Sequence, residues 1–304
     1  MPSVLVIGDV MIDIVVKLDG PIAVGADTRA TIRQLPGGSG ANQAAWLAAE
    51  GIQVRFAARV GRDDHATHAA MLRDEGVDAR LGVDEELPTG RLVTLASAEE
   101  RSFLTDRGAN EAFCRADLPD TLLDGIDFVE VSGYVLFHAG PRVAALELLA
   151  EAKRRGIAFA VDPSSWSLLK EVGPENFLAW TAGARICFPN GLEAAVLAGS
   201  DDPHQQLAIL CRSYPFVVIK RGTEAAVAAD RETGRRWSVP VPQVAAVDAS
   251  GGGDAFFAGF IGAYLRGEET ESCLRRGVEL GARAATTLGG RPPTRSGWQP
   301  LVAR

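Results

Sequence analysis

Several features that mark large classes of protein are scarce or missing in this 304-residue chain. It has no run of eighteen or more apolar residues, which excludes a predicted membrane-spanning helix. It carries four cysteines, Cys114, Cys187, Cys211 and Cys273, irregularly spaced and without a CxxC pair. That argues against a zinc ribbon and a disulfide framework, and predicts buried thiols in a reducing cytoplasm. Lysine occurs only at positions 17, 153, 170 and 220, and 31 basic residues face 39 acidic ones, a formal charge of -8. With no net cationic attraction to phosphate, a nucleic-acid partner is not expected. The N-terminus lacks a basic region and meets Gly8-Asp9 early, so no secretory signal is predicted. His65 and His68 share a predicted helix face, but nothing else suggests a metal, and they read as a solvated pair. Two phosphate-binding patterns are also missing. There is no GxxxxGK[ST], and no GxGxxG after the first predicted strand, which disfavours a Walker-type NTPase and a nicotinamide-dependent dehydrogenase.

Apolar residues make up 47% of the chain, enough for a large buried core. The run from Val4 to Val10 predicts a strand buried on both faces. Predicted strands at 54–60, 127–131, 157–161, 186–188 and 216–220 alternate with helices at 40–50, 64–75, 141–155, 191–198, 203–212, 253–265 and 270–288. This alternation predicts an α/β fold, with a mainly parallel central sheet covered by helices on both faces. Hairpin strands are expected at 225–229 and 235–239. More polar segments near 12–18, 28–35 and 91–105 do not fit the alternation. They are predicted to form a small separate sheet, a lid over one edge of a single 1–304 domain, with a turn at Ala98-Glu99-Glu100.

Two glycine clusters carry the chemistry. In Asp248-Ala249-Ser250-Gly251-Gly252-Gly253-Asp254, three glycines precede an apolar helix. Their backbone N–H groups and the helix dipole can converge on an anion. Asp254, in the first helical turn, would face that anion and could take a proton from a hydroxyl. It reads equally as a plain helix-start residue. In Gly37-Gly38-Ser39-Gly40-Ala41-Asn42-Gln43-Ala44, Asn42 offers a donor and an acceptor to a polyhydroxylated ligand. Asp13 interrupts the apolar run Val10–Val16, where a carboxylate is costly unless it is paired or serves a site. Asn190-Gly191-Leu192-Glu193 has the form of a capping box.

Together these clusters resemble the two signatures of the PfkB (ribokinase-like) family of small-molecule kinases, GGxGxNxA and DTxGAGD. Lesser landmarks spread the resemblance along the chain. They include Gly8-Asp9, Val60-Gly61-Arg62-Asp63-Asp64, Thr89-Gly90, Gly108-Ala109-Asn110, Asp162-Pro163, Asn190 through Glu193 and Lys220-Arg221-Gly222. The resemblance implies a ribokinase-like three-layer fold and ATP-dependent phosphorylation of a hydroxyl on a sugar or sugar-like molecule. It implies Asp254 as the base and the amides of Gly251, Gly252 and Gly253 as the anion hole. Asp13, Gly38 and Asn42 would hold the substrate, and Arg107 or Arg29 could read a charged group on it. Asn190 and Glu193 would organise Mg²⁺ through water, and Lys220 and Gly222 would border the nucleotide. Asp248 and Ser250 stand where the family builds a monovalent-cation site, open to K⁺. Paired lids imply a homodimer. Ser39 stands where ribokinase tends to have Lys, and Ser132 where it carries a Glu, so the substrate stays open. A nucleoside or pseudouridine kinase, or a catalytically silent sugar-binding regulator, remains an alternative.

Overall fold

The computed structural model describes residues 1–96 and 101–293. The expected turn at Ala98-Glu99-Glu100 lies outside the described residues.

A nine-stranded sheet forms the middle layer. Third from one edge of it is β1 (Ser3–Ile7), of which Val4 to Ile7 are fully buried. The small sheet begins with β2 (Met11–Leu18) and β3 (Ala30–Gly37). After helix α1 (Ser39–Ala49), β4 (Gln53–Gly61) pairs in parallel with β1. Helix α2 (Arg62–Asp74) leads to β5 (Val77–Asp84), which pairs with β4 and forms one edge. β6 (Thr89–Ala96) and β7 (Arg101–Gly108) complete the small sheet, in the order β3-β2-β6-β7.

On the other side of β1 stand β8 (Phe128–Ser132), β9 (Ala158–Asp162), β10 (Ile186–Cys187) and β11 (Phe216–Ile219), all parallel. β12 (Ala226–Asp230) and β13 (Arg236–Val239) then close that edge as an antiparallel pair. Alternating side chains of β1 serve two cores, as a period of two requires. Val4 and Val6 face the layer of α1, α9 (Gly252–Leu265) and α10 (Thr270–Ala285), where Phe256, Phe257 and Phe260 are buried. Leu5 and Ile7 face the opposite layer. That layer holds α3 (Tyr134–Phe137), α4 (Ala139–Arg154), α5 (Trp166–Val172), α6 (Pro174–Trp180), α7 (Gly191–Ala198) and α8 (Pro203–Leu210).

The small sheet lies close to the predicted segments: 11–18, 30–37, 89–96 and 101–108 against 12–18, 28–35 and 91–105. Several details correct the expectations. His68 is not solvated but buried on α2, and burial pushes its imidazole down to about 4. Cys114 and Cys211 are only half-buried. β5, α5 and α6 had no counterpart in the sequence reading. α5 and α6 are seven residues each, and Gly173 separates them with φ 87. Such short segments leave little periodicity to read.

Candidate active site

The site lies beyond the C-terminal ends of the parallel strands, where open α/β sheets place their ligands. Asp9 follows β1, Ser132 and Asp162 end β8 and β9, and Lys220 follows β11. Asn190 is joined to Lys220 by an isolated parallel bridge. The N-termini of α1, α7 and α9 are brought to the same region by these strand ends.

Glycine is required where these helices begin. Gly251 caps α9 in the left-handed conformation (φ 72), and a Cβ there would overlap the backbone of Gly290. Gly38 precedes α1 with φ 94, and a Cβ there would overlap the carbonyl of Asp9. Gly253 is exposed, and a Cβ on it would lie 3.6 Å from Lys220 Nζ, so the glycine loop and the ammonium border one space. The first-turn N–H groups of α9 have no intrahelical acceptor, although that of Gly252 makes a 3.3 Å bond to Ala249 O.

Asp254 is the centre of the arrangement. Its Oδ1 accepts from Ser39 Oγ at 2.7 Å and Gln43 Nε2 at 3.3 Å, and its Oδ2 from Asn42 Nδ2 at 3.0 Å. Burial pushes its carboxyl up to about 7; the nearby Asp162 adds to this, while the bonds from Ser39 and Asn42 and the charge of Lys220 oppose it. A carboxyl near neutrality is suited to gain and lose a proton.

The predicted substrate residues gather beside it. Asp13 projects from β2 over Gly37, where any Cβ would overlap its carboxyl. Its Oδ1 is buried without a partner among the described residues, and burial, reinforced by Asp9, pushes the carboxyl up to about 7. Asn42 is buried, and its Oδ1 also has no partner among the described residues. Arg107 is already engaged: it pairs with Asp9 at 3.0 Å and lies over the Tyr134 ring at 4.5 Å. Arg29 is exposed, just ahead of β3.

On the other side, Asn190 and Glu193 form a reciprocal capping box on α7. Glu193 accepts from Asn190 N at 2.7 Å and from Asn190 Nδ2 at 2.6 Å. Its burial pushes the carboxyl up to about 8. Lys220 is paired with Asp162. Burial opposes its charge, but Asp162 and Glu193 outweigh it and raise its pKa. Gly222, in a left-handed turn (φ 60), lines a largely apolar cavity of about 250 Å³ with Thr223, Val241, Val244, Gly253 and Phe256. Asp248 accepts from Ser250 N (3.0 Å), Ser250 Oγ (2.8 Å) and Gly289 N (3.1 Å), tying the glycine loop to the 289–291 segment.

The structure thus brings together Asp254, Asn42, Asp13, Lys220, Glu193 and the glycine loop. It also shows neighbours to which the sequence alone assigns no role. Gln43 contacts Asp254, and Asp162 contacts Gln43. Glu130 is fully buried on β8, and neither oxygen has a partner among the described residues. The signal for Glu130 was present: like Asp13, it is a carboxylate inside an apolar run.

The architecture is a three-layer α/β fold with a carboxylate in the first turn of a glycine-capped helix. Residues 1–296 match the family model described as pfkB family carbohydrate kinase, and the chain belongs to that family. An ATP-dependent ribose-1-phosphate kinase of Halopiger xanaduensis is 29% identical over 295 residues, covering 96% of this chain and 94% of the relative. A cytidine kinase of Thermococcus kodakarensis is 26% identical, with 92% and 94% covered. Among solved structures, an adenosine kinase from Sinorhizobium meliloti superposes with a TM-score of 0.86 at 24% identity, covering 96% of both chains. The fold is therefore ribokinase-like, and the relatives are sugar and nucleoside kinases.

Proposed function

We propose that this chain transfers the γ-phosphoryl group of ATP to a hydroxyl of a sugar or nucleoside, with Asp254 as the base. The observation that carries this reading is the position of Asp254. It sits in the first turn of α9, beside the glycine loop, with its carboxyl near neutrality. The acceptor hydroxyl gives its proton to Asp254 as the O–P bond forms and the bond to the β-phosphate oxygen breaks. The free amides of the α9 turn and Lys220 stabilise the charge on the transferring group. Asp13 and Asn42, whose unpartnered oxygens are buried, would take the substrate's other hydroxyls. The apolar cavity beside Gly222 would receive the nucleobase.

Among the described residues, no group of three or more His, Cys, Asp or Glu side chains could hold a metal. Both Glu193 oxygens are taken by Asn190. This fits Mg²⁺, which binds through few protein ligands, substrate phosphates and water. Asn190 and Glu193 would hold it through water, and it would neutralise the phosphates. Asp248 and Ser250 would border the K⁺ site.

A homodimer through the small sheet is supported by strand register. Ile14, Val16, Ile32, Val93, Leu95 and Leu104 occupy one face of that sheet, opposite the face that carries Asp13. Ile32 and Leu104 are 65% and 58% exposed. The chain acts as a single domain with this sheet as its lid. A cytoplasmic setting is favoured by four free cysteines, and no helix among the described residues is long and apolar enough to cross a membrane.

Asp254→Asn tests the assignment. Loss of a general base lowers turnover by about 10²–10⁴-fold, while ATP affinity should hold. Turnover at the normal rate would refute the role of Asp254. A coupled ADP-release assay over ribose, ribose 1-phosphate, cytidine, guanosine and fructose would identify the acceptor. If none is turned over while several shift the melting temperature, the chain is a sugar-binding regulator.

A further inference from the structure

Gln43 is fully buried in α1, one turn after Ser39. Its Nε2 lies 3.3 Å from Ser39 Oγ, 3.4 Å from Asp162 Oδ2 and 3.3 Å from Asp254 Oδ1. Chemistry fixes the orientation of the amide: reversed, its oxygen would face two carboxylates. The opposite end is costly. Gln43 Oε1 is buried with no partner among the described residues. A residue kept only for packing would gain nothing from that arrangement. Asp162 is held at its remaining positions by Lys220 Nζ and by the N–H of Ser164, 3.1 Å from Oδ1. Ser164 is the one non-glycine residue with positive φ among those described (φ 67), so this turn is shaped around Asp162. The result is a continuous row: Lys220, Asp162, Gln43, Asp254.

We propose that Gln43 is a positioning residue for the base, its amide N–H groups bridging Asp254 to the Asp162–Lys220 ion pair and fixing which oxygen of Asp254 receives the proton. Oδ1 is occupied by two donors, Ser39 and Gln43. Oδ2 has one, Asn42, and so keeps a lone pair for the substrate hydroxyl. The bridge also places donor protons between two like charges that would otherwise destabilise each other's ionised forms. This inference rests on the reading of Asp254 as the base.

The charged groups that face Asp254 come from several elements: Asp162 from β9, Lys220 from the end of β11, Glu193 from α7, Glu130 from β8 and Tyr134 from α3. All remain in variants of Gln43, so a change in titration isolates the bridge. The test needs no known substrate. The full chain, labelled with ¹³C at aspartate carboxyls, is titrated by NMR as wild type, Gln43→Met and Gln43→Glu. The Asp254 resonance is assigned by its loss in Asp254→Asn. Gln43→Met keeps the length and removes the donor. It should move the midpoint of Asp254 upward by about one pH unit, and Gln43→Glu should move it further. With an acceptor in hand, kcat of Gln43→Met should fall about tenfold at pH 6 and recover by pH 9, with KM little changed. If Gln43→Met unfolds, the isosteric Gln43→Glu still reports. An unmoved Asp254 midpoint in a folded variant overturns the bridge. A moved midpoint with full turnover by Asp254→Asn instead overturns the base assignment and leaves the bridge standing.

Discussion

Raising the pH from 6 to 8 should weaken the ligand-free protein, the reverse of what carboxylates held in ion pairs produce. Burial is the leading cause that pushes Asp13 and Asp254 from 3.8 to about 7 and Glu193 from 4.5 to about 8. The sign follows from proton linkage. A carboxyl with a raised folded pKa adds stability in full below its unfolded value and loses it as pH rises through the folded value. At pH 6 the unfolded chain has released these three protons and the native state still holds most of them. Taken at face value, the three shifts give a drop of about 5 kcal/mol between pH 6 and 8. Asp13 and Asp254 are partly open to solvent, which screens them. His68, lowered from 6.5 to about 4, works the other way over the bottom of this window. The expected net loss is therefore roughly 2–3 kcal/mol. Glu75 and Glu130, also raised by burial, act in the same direction as the three carboxyls. Urea denaturation at pH 6, 7 and 8 and constant ionic strength measures this, and the melting temperature should fall by roughly 3–5 °C. Asp254→Asn should flatten the slope by about its own share, roughly a quarter. Stability that is level or rises from pH 6 to 8 would refute the claim that burial holds these carboxyls protonated.

Other outcomes follow from single contacts. Gly251→Ala places a Cβ on the backbone of Gly290 at φ 72 and should cost at least about 1–3 kcal/mol with loss of ATP affinity. Gly191→Ala, where nothing lies within 4 Å, should be close to neutral by the same melting and binding assays. If the proposed dimer forms through the small sheet, the pair Ile32→Glu and Leu104→Glu should convert it to a monomer in sedimentation; a monomeric wild type would remove the reading of the small sheet as the dimer face.

What the sequence could reveal depended on how local each signal was. The run from Val4 to Ile7 reads as a buried strand because both of its faces are covered, so every residue is apolar. Asp254 and Asn42 are legible because each lies within a glycine cluster whose backbone geometry is written in adjacent residues. Gln43 and Asp162 are different. They meet across 119 positions, and only the docking of α1 beside the end of β9 makes them neighbours. Arg107 shows the same limit: its pairing with Asp9, 98 positions earlier, is not written in its sequence setting. His68 misled for another reason: two histidines three apart look alike in sequence, yet only one lies on the buried face of α2 with Leu72.

The charge of the site resolves an apparent conflict. A chain of net charge -8 places Asp13, Glu130, Asp162, Glu193 and Asp254 around a region meant for a polyanion, with Lys220 as their buried ammonium. If all five carboxyls were ionised, the field would repel phosphate. Burial instead drives Asp13, Glu130, Glu193 and Asp254 toward their neutral forms, and Lys220 pairs with Asp162. The resting site is then far less negative than its composition implies. The glycine amides and the dipole of α9 can face an anion without opposing a full row of charges. On the proposed reading, the same burial that weakens the fold above neutrality lowers the negative charge that an incoming nucleotide would meet in this acidic pocket.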